Sequence, residues 1–212
     1  MKLHSFFNSS TSYRVRIALA LKGLSYAHAG INLREGQQRS PAHRALSPIG
    51  GVPVLEVEGA VLTQSLAIID YLDLQHPEPR LIPSDALQRA RVLEIANLIG
   101  CDIHPLNNVR VLNYLQNVME VSPEQKSAWY RHWVAEGLAA VETLLERNGP
   151  GDFCVGDTPT LADCCLVPQV ANAERMGCEL FAYPRVMAIY SQCLELPAFQ
   201  AAAPQRQPDF IA

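Results

Sequence analysis

The chain has 212 residues, 49% of them hydrophobic and 18% charged, with a formal net charge of −4. That length and apolar share support one large domain or two small ones with a substantial core, and they exclude a disordered chain. The slight acidity and the lack of a basic block argue against nucleic acid as a partner. Small anions stay open, because a site's field depends on local charge placement.

The first seven residues, Met1 to Phe7, turn polar at Asn8 with no long apolar run and no small-residue cleavage site, so they do not read as a signal peptide. No stretch approaches a membrane span. The six cysteines, Cys101, Cys154, Cys164, Cys165, Cys178 and Cys193, form no CxxC pair and no metal-ligand spacing. They read as buried free thiols of a reducing compartment, which makes the cytoplasm the expected location and leaves no metal site to expect.

Leu3 to Phe7 reads as a short strand. Ser12 to Gly23 carries apolar residues at Val15, Ile17, Ala18, Leu19 and Leu21, which suits a helix that Gly23 can end. Tyr26 to Leu33 is a second candidate strand, and Ser40 to Leu46 a short helix with Pro41 in its first turn. Val54–Val57 and Ala60–Thr63 flank Glu58-Gly59 and read as a hairpin with a tight turn. Ser65 to Gln75 is amphipathic, with Leu66, Ile69 and Leu72 to one side.

This order of strand, helix, strand, helix, hairpin and helix implies a mixed sheet with helices on its faces. Pro77, Pro79 and Pro83 then interrupt any helix, and the domain boundary is expected between residues 79 and 86. From Asp85 onward the apolar spacing is helical. Ser122-Pro123-Glu124-Gln125 has the form of a capping box, and Trp129, Trp133, Leu138, Val141 and Leu145 continue a stripe that reads as core. Thr160 and Asp163 mark another helix start, running through Val170 to about Met176.

Three short segments bear on chemistry. Asn8-Ser9-Ser10-Thr11-Ser12 lies between a strand and a helix. Such hydroxyls cap helices, and they can also hydrogen-bond a thiolate at the positive helix end and lower its pKa. In Gly51-Val52-Pro53-Val54 the proline is either an ordinary turn residue or a cis peptide that exposes the backbone of Val52 to a bound peptide. At Thr63-Gln64-Ser65, Ser65 can cap the next helix, whose N-terminus can also hold a carboxylate. Each segment alone is explained by local structure. Their order along the chain resembles the layout of a glutathione site on a thioredoxin-like domain.

The run from Asn8 through Ser9-Ser10-Thr11-Ser12-Tyr13-Arg14-Val15-Arg16 to Gly23 resembles the zeta-class glutathione transferase signature. Gln64 to Leu72 and Leu166 to Arg175 are similar to two further blocks of that class, and the likeness runs from Lys2 to about Pro208. The first and third blocks are specific to the class, whereas Val-Pro and Gln-Ser mark only the wider superfamily.

The resemblance implies an α/β thioredoxin-like domain over residues 1–79 and an all-α domain over 86–212, with the active site between them, in a homodimer. It implies Ser9 facing the glutathione sulfur, with Ser10 and Thr11 beside it. Val52, with Pro53, would pair with the cysteinyl backbone, Gln64 and Ser65 would hold the γ-glutamyl carboxylate, and Gln38 would reach the glycyl end. His104, Asn108, Val109 and Arg110 match cleft positions and would join the glutathione-binding set, and Arg110 and Arg175 are the expected substrate contacts. Two positions depart from the class: Thr11 stands where it usually has Cys, and Asn8 where it often has Arg.

The activity implied is cis–trans isomerisation of maleylacetoacetate to fumarylacetoacetate in the breakdown of an aromatic amino acid, by reversible addition of the glutathione thiolate. Maleylpyruvate from gentisate breakdown is the alternative substrate. A conjugating or dehalogenating transferase, and a non-enzymatic interaction protein on the same fold, are the other classes weighed. Membrane and nucleic acid are not expected partners.

Overall fold

The computed structural model describes residues 1–211. The chain divides into two compact units: Met1–Ile82 together with the segment from Leu194, and Pro83–Cys193.

The first unit contains a four-stranded sheet in the order β2-β1-β3-β4, formed by β1 (Lys2–Ser5), β2 (Ala27–Gly30), β3 (Val54–Val57) and β4 (Ala60–Thr63). β2 runs parallel to β1, while β1–β3 and β3–β4 are antiparallel. The parallel pair requires a crossover, and α1 (Ser10–Leu21) supplies it. The hairpin turns at Glu58 and Gly59, with φ of 50° and 81°. Two positive values match the twist of the flanking strands, and glycine takes the second without a Cβ clash. α2 (Pro41–Leu46) and α3 (Ser65–Gln75) complete the N-terminal part of this unit.

The strands are shorter than the sequence patterns imply, since apolar character at Phe6, Phe7 and Ile31 continues past the last ladder pair. Lys22 and Asp73 form a buried ion pair at 2.8 Å that ties α1 to α3. Lys22 also donates to the carbonyls of His76 and Pro79, and Asp73 accepts from the Leu81 and Ile82 amides, so the proline-rich exit of this unit is tied down.

The sequence reading assigns everything after residue 86 to the helical part. The segment from Leu194, with α9 (Pro197–Ala202), instead belongs to the first unit. Phe199 and Ala202 are buried, and their carbonyls accept from Tyr13 Oη and Arg16 Nε of α1. Asp209 then accepts from the Phe7 amide at 2.9 Å, and Phe210 meets the Phe7 ring edge-on. Helical composition cannot show which unit a short helix packs against.

The second unit is helical throughout: α4 (Ala86–Asn97) continues through a π-turn over Leu98–Ile103 and a 3₁₀ turn over His104–Asn107, and then come α5 (Val109–Asn117), α6 (Pro123–Asn148), α7 (Leu161–Arg175) and α8 (Pro184–Leu194). The capping box at Ser122 and Gln125 forms in both directions, with the Gln125 amide on Ser122 Oγ and the Ser122 amide on Gln125 Oε1. The stripe on α6 differs from its sequence reading in one respect. Tyr130, Val134, Leu138, Val141 and Leu145 are the buried residues, while Trp129 and Trp133 are only half-buried. An indole needs a partner for its N–H, and Trp129 finds the Leu106 carbonyl at 2.9 Å. Gly137 lets α6 approach the π-turn, because a Cβ there would lie 2.2 Å from Ile103 Cγ1.

α7 is buried from Leu161 through Val170 and forms the centre of this unit. All six cysteines are free thiols; Cys154, Cys164, Cys165 and Cys193 are buried, but Cys101 is exposed and Cys178 partly so. No helix among the described residues is long and apolar enough to cross a membrane.

Candidate functional site

In the first unit the predicted residues gather at the ends of β1, β3 and β4, where the chain enters α1 and α3. Ser9 is the N-cap of α1, and its Oγ accepts from the Ser12 amide at 3.2 Å. Ser9 Oγ and Thr11 Oγ1 are 2.9 Å apart, and Thr11 Oγ1 donates to the Val52 carbonyl at 2.9 Å. A hydroxyl has one proton. Because Thr11 uses its own on Val52, the Ser9 hydroxyl is the donor to Thr11. A hydrogen-bonded chain therefore runs from Ser9 through Thr11 to Val52, with both hydroxyl residues half-exposed. An anionic acceptor beside Ser9 can take the Ser9 proton by rotation of one hydroxyl, at the positive end of α1. Ser10, the first helical residue, is buried.

The Val52–Pro53 peptide is cis. The preceding loop is fixed from α2: Ser47 Oγ accepts from the Gly51 amide at 3.0 Å, and His43 Nε2 donates to the Gly51 carbonyl at 2.9 Å. Gln38 lies in a 3₁₀ turn over Gln37–Arg39, and its backbone carbonyl lies against Gly50.

Gln64 has φ 68° and ψ 114° as the residue before α3. A non-glycine residue held there is strained, and such strain gathers at binding sites. Gln64 is exposed and Ser65, the first residue of α3, is buried. Ser65 Oγ accepts from Arg14 Nη1 at 3.3 Å. The sequence reading does not single out Arg14. The available signal was a pair of arginines inside the otherwise apolar pattern of α1, and both are buried: Arg14 is 2% exposed and Arg16 1%.

In the second unit His104 opens the 3₁₀ turn and Asn108 follows it, with Asn108 Nδ2 3.2 Å from His104 Nε2. Asn108 Oδ1 accepts from the Arg110 amide, so the side chain caps α5 and its NH₂ donates to the imidazole. His104 thereby accepts at Nε2 and carries its proton on Nδ1. Val109 and Arg110 open α5 and are exposed. Arg175 is the last residue of α7, exposed, and donates to Asn172 Oδ1 one turn earlier. The structure thus joins His104, Asn108 and the start of α5 at one junction, while Arg175 stands on a different helix. Nearby, burial raises the Tyr130 phenol well above its ordinary range.

Residues 1–74 match the glutathione S-transferase N-terminal domain, and residues 127–191 match the glutathione S-transferase C-terminal domain. A maleylacetoacetate isomerase of Pseudomonas aeruginosa is 50% identical over 99% of this chain and 98% of its own length. A bacterial maleylpyruvate isomerase solved in its holo form, described as zeta class, is 45% identical, superposes with a TM-score of 0.97 and covers all of both chains. A maleylacetoacetate isomerase of Anaeromyxobacter dehalogenans, solved with glutathione in its active site, is 43% identical with a TM-score of 0.89, covering 99% of this chain and 97% of that one. The chain belongs to the glutathione S-transferase family, in its zeta class, with the thioredoxin-like and helical parts that this family combines.

Proposed function

We propose that this chain is a glutathione-dependent cis–trans isomerase that converts maleylacetoacetate to fumarylacetoacetate. The observation that carries the reading is full-length identity of 50% to an isomerase of that name. Maleylpyruvate is the second reading, favoured by the TM-score of 0.97 to a maleylpyruvate isomerase.

The donor set suits glutathione, a peptide with a thiol in its middle and a carboxylate at each end: hydroxyls lie at two helix N-termini, with the Val52 backbone at the cis-proline turn before β3 and no protein thiol among them. When bound, glutathione supplies a thiolate that adds to the conjugated cis double bond and leaves again after rotation. Ser9 donates its hydroxyl proton to the sulfur, and the positive end of α1 favours the same charge, so both lower the thiol pKa. Ser10 supports this turn from within. Thr11 holds Ser9 to the Val52 backbone and, as an alcohol, is too weak a nucleophile to add to the substrate itself. Val52, set by Pro53, pairs with the cysteinyl backbone. Gln64 and Ser65 take the γ-glutamyl carboxylate, and Gln38 the glycyl end. Arg110 and Arg175 bind the diacid through their planar forks. His104, held by Asn108, is a contact lining the cleft, and Val109 lines its approach.

The same reading makes the chain a cytoplasmic homodimer: the compartment follows from its free thiols and the dimer from the family alone. Sedimentation at micromolar concentration tests the dimer. The activity is tested by supplying each maleyl substrate with glutathione far below stoichiometry. Sustained turnover that stops when glutathione is removed is expected. Consumption of glutathione in proportion to product would instead identify a conjugating transferase.

A further inference from the structure

Phe6, Phe7, Asn8 and Ser9 lead from β1 into α1, and the β1 ladder stops short of them at Ser5. Their backbone is held from other elements. The Ser9 amide donates back to the Phe6 carbonyl at 3.0 Å, and Arg16 donates to the Phe6 and Phe7 carbonyls from α1. Phe7 is 3% exposed, and a buried amide needs an acceptor. That acceptor is Asp209 Oδ2, at 2.9 Å from the Phe7 nitrogen and 202 residues away along the chain.

Asp209 is built into its place. Gln207 donates to the Ala201 and Ala203 carbonyls and so fixes the segment after α9 to that helix. His28 Nε2 on β2 stands 3.1 Å from Asp209 Oδ1, and Gly30 leaves room for the side chain, since a Cβ there would lie 3.1 Å from Asp209 Cβ. Phe210 then meets the Phe7 ring edge-on, with the ring centroids 5.3 Å apart. The segment thus grips Phe7 by its amide and by its ring, two residues before Ser9. A hydroxyl on a short turn points where the turn backbone puts it, so this grip bears on the direction of Ser9 Oγ.

We infer that Asp209 is a positioning residue for the Ser9 hydroxyl: it fixes the turn from Phe6 to Ser9 so that Oγ meets the glutathione sulfur. The inference rests on the glutathione reading above and gives the segment after α9 a part in lowering the thiol pKa. The direction of the effect separates positioning from plain electrostatics. A carboxylate acting through its charge disfavours a nearby thiolate, so its removal lowers the thiol pKa. A carboxylate acting through the turn favours the thiolate, so its removal raises that pKa.

The test follows thiolate absorbance against pH in the complex of the intact protein with glutathione. Asp209→Ala should raise the pKa of bound glutathione by about one unit and slow turnover about tenfold. S-methylglutathione, which has no thiol to ionise, should still bind within about twofold of wild type. Asp209→Asn keeps an acceptor for the Phe7 amide without the charge, and should restore turnover to within about twofold. On a Ser9→Ala background, Asp209→Ala should add nothing. Asp209→Glu keeps the charge but displaces the acceptor by one methylene; it should shift the titration in the same direction, and it carries the cycle if the alanine variant does not fold. An unshifted or lowered pKa overturns the inference, as does an equal shift in the absence of the Ser9 hydroxyl. Failure of asparagine to rescue, or a matching loss of affinity for S-methylglutathione, makes Asp209 structural and also overturns it. Ser9→Ala that by itself leaves the titration unshifted removes the Ser9 reading, and with it the inference, whatever Asp209 does.

Discussion

Two helices, one in each unit, begin on a hydroxyl and put it to different use. At the start of α7, Asp163 accepts from the Thr160 amide, from Thr160 Oγ1 and from the Cys154 amide, at 2.7 to 2.9 Å. The cluster is buried and closed, and burial lifts the Asp163 carboxyl above its ordinary range despite those three hydrogen bonds. At the start of α1, Ser9 caps with a half-exposed hydroxyl whose own proton goes only to Thr11. The first arrangement holds a fold together because nothing is left for a ligand. The second leaves a proton that a ligand can claim. Hydroxyls at helix starts look alike in sequence, and exposure decides which of them stay open to a ligand.

The sharpest way to break this contrast is Asp163→Ala. Three buried donors lose their acceptor, so the second unit should lose about 3 kcal/mol or more of stability, read as a lower urea midpoint. If unfolding were unchanged while turnover fell, the α7 start would be a functional site and the contrast would collapse.

Ser9→Ala should do the reverse. The cap costs only about 1 kcal/mol of folding stability. Loss of a hydrogen bond to the proposed thiolate should cost about 2 kcal/mol, roughly thirtyfold in turnover, with a raised pKa for bound glutathione. Thiolate absorbance followed against pH in the complex measures it, and an unshifted titration would move the role from Ser9 to the helix dipole.

The far end of α7 extends the contrast within one helix. Arg175→Ala should raise KM for the diacid by about tenfold while leaving glutathione affinity within about twofold, as expected for a charge-assisted contact made only to substrate. Equal loss of both affinities would make Arg175 a structural helix-end residue.

Thr11→Val removes the link to Val52 but also frees the Ser9 proton, so the two effects oppose. Turnover should fall by less than about tenfold. Thr11→Cys should stay active and become sensitive to alkylation, and intact-mass measurement during wild-type turnover should find no substrate adduct at Thr11.

The smallest effect is expected at the half-exposed Glu56. Glu56 accepts from His4 and Lys2, which hold its carboxyl below the ordinary value of 4.5. A lowered folded pKa gives stability that is present above the unfolded value and lost as pH falls through the folded one. Urea midpoints of wild type and Glu56→Gln should therefore converge as pH drops below about 4.5, with little separation at any pH. A large gap at neutral pH would mean that surface pairs rival the buried staples.

Much of this was legible in the chain itself. The hairpin around Glu58-Gly59, the helix from Ser65 to Gln75 and the capping boxes at Ser122 and Thr160 all follow from local rules, because turn geometry and helix-end amides are satisfied by residues a few positions away. The order of hydroxyl cluster, Val-Pro and Gln-Ser likewise marks the proposed site, since strand-to-helix junctions come from chain order. Tertiary structure alone decided the rest. It returned α9 to the first unit, left Trp129 and Trp133 half-buried, and ran the hydroxyl chain from Ser9 through Thr11 to a carbonyl 41 residues away. It also separated two arginines that read identically in the sequence, completing Arg16 with the α9 backbone and leaving Arg14 behind Ser65. Local signals report what a residue can do for its own helix. What a buried polar group meets on the other side depends on which distant backbone folds against it, and that is settled only when the core closes.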